Sequence, residues 1–300
     1  MLLGNYNRLG SNEIISCGLQ KGHKKQFKRN SKVYKKLMEH IGLLPLVMIS
    51  PADDSLILGG SDERRKFMDG VISQYNQNYL DDLMKYNRAL LQRNNLLKQF
   101  SSDRFFDPEL LAVWDQHLLE YGTQIHRHRM EFVEKFIPVF QRYYSFISQG
   151  NEIVGLVHQS DLYENNFEQL LSESQGKDRA AQFTTAGIHK DDLILNIGDY
   201  PIKKLGSQGQ KKTYLVALKL AQFNFIKQIS GLKPILLLDD IFDKLDQHRV
   251  EQIVKVVAGE DFGQIFITDT NREHLDTIIR KMSADFRIFT VDSGMIKLAE

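Results

Sequence analysis

Pro234-Ile-Leu-Leu-Leu-Asp-Asp240 ends an apolar run in two adjacent carboxylates. Such a run suits a buried strand of a parallel sheet, and in open α/β sheets ligands bind outside the carboxyl ends of the strands. Asp239 is placed there to hold Mg²⁺, directly or through water, beside nucleotide phosphates. Asp240 is placed to orient or deprotonate an attacking water. The competing account is an aspartate pair capping the next turn, and these two residues alone do not separate the accounts. Upstream lies Gly206-Ser-Gln-Gly-Gln-Lys-Lys-Thr213. Ser207 suits an N-cap, Gly209 permits close backbone approach, and the helix behind them offers free N–H groups and a positive dipole end to an anion. An ordinary capped helix is the alternative. A third apolar run, Ile265-Phe-Ile-Thr-Asp-Thr270, places Thr268 and Asp269 where they could bond near the same phosphate or cap a helix starting at Asn271.

The order of these segments resembles ABC-type ATPases. Asp246, in Asp243-Lys-Leu-Asp246, lies six residues after Asp240, where that family carries a D-loop behind its Walker B strand, and Asp239–Asp246 aligns to it without a gap. Gly206–Thr213 resembles the ABC signature Leu-Ser-Gly-Gly-Gln, matching at Ser207, Gly209 and Gln210. The resemblance implies nucleotide contacts for Ser207, Gln208, Gly209, Gln210, Asp246 and Thr268, a metal role for Asp239 and a catalytic role for Asp240. It implies that the signature holds a γ-phosphate across a dimer interface, on a nucleotide bound mainly by the partner subunit. Thr268 and Asp269 stand where many ABC proteins have a switch histidine.

A narrower resemblance joins further segments. Residues 207–213 and 236–246, with Ser50-Pro-Ala-Asp53, Gly60-Ser-Asp-Glu-Arg-Arg-Lys-Phe-Met-Asp69 and Gly187-Ile-His-Lys-Asp-Asp192, are similar to the RecF family from about residue 14 onward. Ile188 and Lys190 replace the proline and arginine of the family's commoner Gly-Pro-His-Arg-Asp-Asp. This resemblance implies an α/β, SMC- and Rad50-like ABC ATPase head with an inserted antiparallel helical arm. It implies ATP and Mg²⁺ as cofactors, ATP-dependent homodimerisation, slow hydrolysis and binding at single-strand/double-strand DNA junctions. The implied partners are RecR and RecO, and the implied outcome is recombinase loading at gaps and SOS induction. The short arm disfavours another SMC-like head.

One family element is missing from these 300 residues. No Gly-x-x-x-x-Gly-Lys-[Ser/Thr] occurs, and the only Gly-Lys pair, Gly176-Lys177, precedes Asp178. Such a loop supplies the backbone amides and lysine that cradle nucleotide phosphates. The expectations are an N-terminally truncated head that alone binds ATP poorly and does not hydrolyse it, a partly exposed core, and possible service as a DNA- or RecR-binding module only.

Charge and composition set limits around this reading. The hydrophobic share is 42% and the net charge +1, so bulk charge says nothing of nucleic acid. Between Ile14 and Met38, however, there is no acidic residue, while eight lysines and arginines from Lys21 to Lys36 fall there. That stretch can lie against phosphates or be a solvated hairpin without a partner. Lys24, Lys25, Lys28, Arg29, Arg64, Arg65 and Lys190 are the DNA-contact candidates. A single cysteine, Cys17, excludes an internal disulfide and fits a reducing compartment. No signal-peptide pattern or membrane span is read, so the expected setting is the cytoplasm.

These residues need elements to hold them. Residues 1–60 read as short strands, including Ile14–Leu19 and Leu46–Ser50, forming the first part of the head. Residues 61–150 read as the arm, two long helices in an antiparallel hairpin. Met68, Ile72, Tyr75, Tyr79, Leu83, Tyr86, Leu90 and Leu97 share one helical face, and Leu111 to Ile147 carry the second, with Pro138 kinking or restarting it. Residues 151–300 return to the head. Strands are expected at Val154–His158, Asp192–Ile197, Ile235–Leu238, Ile265–Thr268 and Arg287–Val291, with helices near 208–229 and 247–257. That alternation predicts a mainly parallel buried sheet.

Overall fold

The chain opens on four strands, β1 (Leu2–Arg8), β2 (Ser11–Gly18), β3 (Gln26–Arg29) and β4 (Lys32–Val33), paired antiparallel in that order. Two tight turns make this possible. Leu9 and Gly10 join β1 to β2, and Asn30 and Ser31 join β3 to β4, all four at positive φ. Paired positive φ matches the right-handed twist of hairpin strands. The computed structural model describes residues 1–243, 245–270 and 286–299.

β5 (Leu46–Ile49) then enters a second sheet with β9 (Ile235–Asp239) and β10 (Ile265–Thr268), where β9 lies between the other two and all three run parallel. Its crossovers contain the helices. After β5 come α1 (Asp54–Leu58), α2 (Ser61–Ser73), α3 (Gln77–Asp103) and α4 (Pro108–Ser148). β6 (Val154–Gln159), β7 (Asp192–Ile197) and β8 (Tyr200–Pro201) form an antiparallel sheet, with α5 (Phe167–Ala181) between the first two. α6 (Ile202–Leu205), α7 (Gln208–Ser230) and α8 (Gln247–Val257) complete the helices described, and β11 (Phe289–Asp292) pairs with β12 (Met295–Leu298). The expectation of a mainly parallel sheet needs correction. Only three described strands are parallel. The connection from β6 to β7 returns the chain beside its own start and pairs it antiparallel.

α7 is the central strut. From Lys212 to Ile226 every residue except Lys219 is buried, the polar Lys212, Thr213, Gln222 and Asn224 included. One side meets α4 and another meets β5. Phe225 meets Phe132 and Phe136 edge to face with centroids 5.2 and 5.9 Å apart, a geometry aromatic rings favour, and Phe132 and Phe136 lie tilted at 4.8 Å. Thus the apolar face of α4 is core, and one buried cluster runs from Val47 and Ile49 through the arm helices to Leu236 and Leu238. The opposite face of the parallel sheet is more open, with Leu46 and Met48 each 42% exposed and Phe266 51%.

Two arm expectations change. The first arm helix is divided, with α2 ending at Ser73 and α3 starting at Gln77. Asn76 caps the new start by accepting from the Tyr79 amide at 3.0 Å. The aromatic face continues across this break, which hid it from periodicity. α4 runs unbroken through Pro138, so the proline costs a hydrogen bond without restarting the helix. A buried arginine welds the arm to its surroundings. Arg93 on α3, fully buried, reaches Asp178 of α5 at 2.6 Å, the Thr184 hydroxyl at 3.0 Å and the Asp115 carboxylate. Gly176-Lys177 therefore belongs to helix α5, in no phosphate loop. No helix among the described residues is long and apolar enough to cross a membrane.

Candidate functional site

The parallel register brings Asp239, at the end of β9, opposite Thr268, at the end of β10. The Thr268 hydroxyl donates to the Asp239 carboxylate. Asp240 then leaves the strand at φ 49, a left-handed conformation that aspartate adopts more readily than most residues. Its amide donates to the Thr268 carbonyl at 3.0 Å. A cleft of about 110 Å³ opens beside this strand end, and Asp54, Gln208, Lys211, Lys212, Asp240 and Asp243 are among its lining residues. Gln208 at the start of α7 and Asp240 just beyond β9, far apart in sequence, thus meet around one space holding both signs of charge.

Ser207 is the N-cap of α7 and forms a reciprocal capping box with Gln210. The Gln210 amide donates to Ser207 Oγ at 3.2 Å, and the Ser207 amide donates to Gln210 Oε1 at 2.8 Å. Such a cap satisfies two of the free donors at a helix start and leaves the rest, with the dipole, at the mouth of the cleft. Gly206 is required just before it. A Cβ there would lie 2.6 Å from the Ile202 side chain and 2.8 Å from its carbonyl oxygen.

Two residues that sequence reasoning missed tie this loop to the segment after β9. Asp246 caps α8, accepting from the Arg249 amide at 2.8 Å. The Arg249 side chain donates to Thr213 Oγ1 at 2.6 Å, to the Gly209 carbonyl at 3.3 Å and to Glu152 Oε1 at 3.0 Å. Glu152 also accepts from Gln210 at 3.1 Å and from the Tyr144 hydroxyl. Burial pushes the Glu152 carboxyl up, but the Tyr144 and Gln210 hydrogen bonds and the Arg249 charge outweigh it and hold its pKa below the usual range. The only sequence signal for Arg249 was its place three residues after Asp246.

The motif at 187–192 lies at the base of the arm. Gly187 takes φ 123. His189 bonds the Tyr86 hydroxyl at 2.9 Å and the Thr184 carbonyl at 3.0 Å. Burial pushes its pKa down to about 4, although the Thr184 bond opposes the shift. Arg129 of α4, 1% exposed, donates to Asp191 at 2.8 Å, to the Ile188 carbonyl at 2.7 Å and to Asp69 at 2.9 Å. His126 and His128 diverge, His126 toward Ser160 and His128 toward Asn76.

The basic candidates divide by what already holds them. Arg64 makes a two-pronged pair with Asp192 at 2.7 and 2.8 Å, and Arg65 donates to the Asp191 carbonyl at 2.6 Å. Lys190 lies 5.0 Å over the Phe183 ring. Arg29 pairs with Glu13 across β2 and β3. Lys24 and Lys25 are exposed in the turn before β3, and Lys28 is half-buried on that strand. Asp269, beyond β10, lies among the described residues, but the helix expected from Asn271 falls outside them.

No family model matches the chain, but individual relatives do. It is 55% identical over 291 residues to the DNA replication and repair protein RecF of Bacteroides fragilis, spanning 97% of this chain and 78% of that protein. The Flavobacterium johnsoniae protein of the same name is 50% identical over 279 residues, spanning 93% and 78%. Among solved structures, the recombination mediator protein RecF-ATPrS of the RecFOR pathway superposes with TM-score 0.84 at 28% identity, covering 99% of this chain and 80% of that one. An SMC head bound to the C-winged helix domain of ScpA superposes with TM-score 0.54 at 13% identity, over 98% and 72%, a likeness of fold that fits an ABC- and SMC-type ATPase head. By fold and by extended identity to these relatives, the chain belongs to the RecF family of DNA replication and repair proteins.

Proposed function

We propose that the chain is the part of a RecF-type recombination mediator that closes over the γ-phosphate of ATP and contacts DNA at single-strand gaps. The observation that carries this reading is the shared cleft, where the capped start of α7 and the carboxylate-bearing end of β9 face one space. Gln208 and Gly209 offer the phosphate free backbone donors and a helix dipole, while Ser207 and Gln210, closed on each other in the cap, hold that start in place. Asp239 offers Mg²⁺ one carboxylate, and Thr268 orients that carboxylate. Among the described residues no group of three or more His, Cys, Asp or Glu side chains is gathered for a metal. The remaining ligands of a magnesium ion would therefore be phosphate oxygens and water, as is usual for that ion. Bound Mg²⁺ would neutralise charge on the phosphates. Asp240 would accept the proton of, or orient, an attacking water, and Asp246 would reach the nucleotide from the start of α8.

The division into a head segment (1–60), an arm (61–150) and a second head segment (151–300) suits this reading, as do a homodimer, RecR and RecO as partners, a cytoplasmic setting and a role in the SOS response. For DNA, Lys24, Lys25 and Lys28 are the primary contacts, because Arg29, Arg64 and Arg65 already have carboxylate or carbonyl partners. Lys190 is secondary.

A second reading is favoured by the absence of a phosphate loop from these 300 residues. Acting alone, they would bind DNA or a partner protein without turnover. Amide spectra of the labelled chain with millimolar ATP and Mg²⁺ test the site. The expected result is weak binding that shifts residues 207–210 and 239–240 and is lost in Asp239→Asn/Asp240→Asn, with no measurable hydrolysis. Unmoved resonances at both segments would sink the nucleotide assignment and leave the binding-only reading.

A further inference from the structure

The proposed site uses the signature loop and the D-loop, but nothing in their chemistry explains how two segments so far apart in sequence keep a fixed relation. One guanidinium spans the gap. Arg249 Nε lies 3.3 Å from Asp246 Oδ2. Nη1 reaches Thr213 and the Gly209 carbonyl, and Nη2 reaches Glu152. Glu152 in turn holds Gln210, whose side chain closes the cap on Ser207. The chain of contacts from Asp246 to Ser207 is therefore continuous, and every link is a hydrogen bond or ion pair.

The surroundings separate this arrangement from a surface salt bridge. The Arg249 and Glu152 side chains are 17% and 16% exposed, and Thr213 is fully buried. A planar guanidinium offers five donors in a fixed fork, and here the fork is shared among four partners on three segments: Gly209 and Thr213 of α7, Asp246 at the start of α8, and Glu152 before β6. Lysine, whose three donors all sit on one nitrogen, cannot span the four partners together. Glu152 is equally committed, since Tyr144 of α4 fixes its second oxygen. The anchor of the loop therefore extends to the C-terminal end of the arm's long helix.

We propose that Arg249, held by Glu152, is a positioning residue that locks the signature loop and the D-loop into one unit, so that both are presented together to a nucleotide on a partner subunit. The role rests on the proposed function, but the coupling itself exists without nucleotide and is tested without it. A change at Asp246 should be felt at Gly209 and Gln210 through the Arg249 side chain and should stop there when that side chain is removed.

Amide spectra of the full chain decide this, using Asp246→Asn alone and in Arg249→Ala and Arg249→Lys backgrounds. The expected result is that Asp246→Asn shifts the Gly209 and Gln210 resonances in the parent and not in either Arg249 background. Arg249→Lys keeps a positive charge beside Glu152 and Asp246, so it should melt close to the parent. A merely structural role would then restore the transmitted shift together with stability, whereas a positioning role restores stability alone. Equal shifts with and without Arg249, no shift in the parent, or full recovery of transmission by lysine would each overturn the proposal. Because these spectra contain no ATP, a failure of the nucleotide assignment would appear in the ATP titration and a failure of the coupling would appear here.

Discussion

Arg129 and His189 are where single side chains carry the most consequence. Arg129 is a buried cation with Asp69 and Asp191 as counter-charges. Burial pushes the Asp191 carboxyl up, but the His158 ring 3.5 Å away and the Arg129 guanidinium prevail, and its pKa lies below the usual range. Removing one partner of such a pair leaves an uncompensated buried charge, so Arg129→Ala should cost about 3–5 kcal/mol, read from urea midpoints. His189 gives a pH signature. Its imidazole titrates near 6.5 when unperturbed and near 4 in the fold, so between those values the unfolded chain binds more protons. Stability is therefore intact above pH 6.5 and falls as the pH drops toward 4, by up to roughly 3 kcal/mol at about 1.4 kcal/mol per pKa unit. Denaturation of His189→Asn should lack this component of the acid slope. A variant with the parent's slope would place the titration elsewhere.

At the scale of elements, caps and close approaches fix the site. Ser207→Ala removes one half of the capping box and should cost about 1 kcal/mol, measurable as a lowered melting temperature. Gly187 holds a φ that side chains avoid, and a Cβ there would stand 2.9 Å from the Tyr86 hydroxyl and 3.1 Å from the Phe167 ring. Gly187→Ala should thus destabilise by about 2–4 kcal/mol through strain and overpacking, while Gly176→Ala, with open space around it, should be neutral or stabilising. These elements were unequally legible. β9, α7 and α8 were readable because an apolar run, a Ser-x-x-Gln start and an Asp cap are local signals. α5 was missed because its buried face is Phe167, Leu171, Ser174 and Asp178, half of it polar, with Asp178 satisfied by Arg93 and Thr185 and Ser174 by the Leu171 carbonyl. The Arg249–Glu152 link was invisible for a related reason. Charged residues on a helix face and in a loop look solvated until their partners, distant in sequence, are known.

At the scale of the molecule, the core joins arm and head through α4 and α7, so the arm is a continuation of the head's packing. The four-stranded sheet at the start of the chain carries Lys24, Lys25 and Lys28, with Lys25 lying 5.9 Å over the Phe27 ring. DNA held mainly through phosphates gives binding that weakens with salt and is blind to sequence. The most direct test is fluorescence anisotropy of a gapped duplex across a salt series, comparing the chain with Lys24→Gln/Lys25→Gln/Lys28→Gln. The account predicts a linear fall of log K with log salt, and a slope reduced by roughly three in the triple variant, about one per lost phosphate contact. Identical slopes for the two proteins, or no binding by the parent even at low salt, would contradict it.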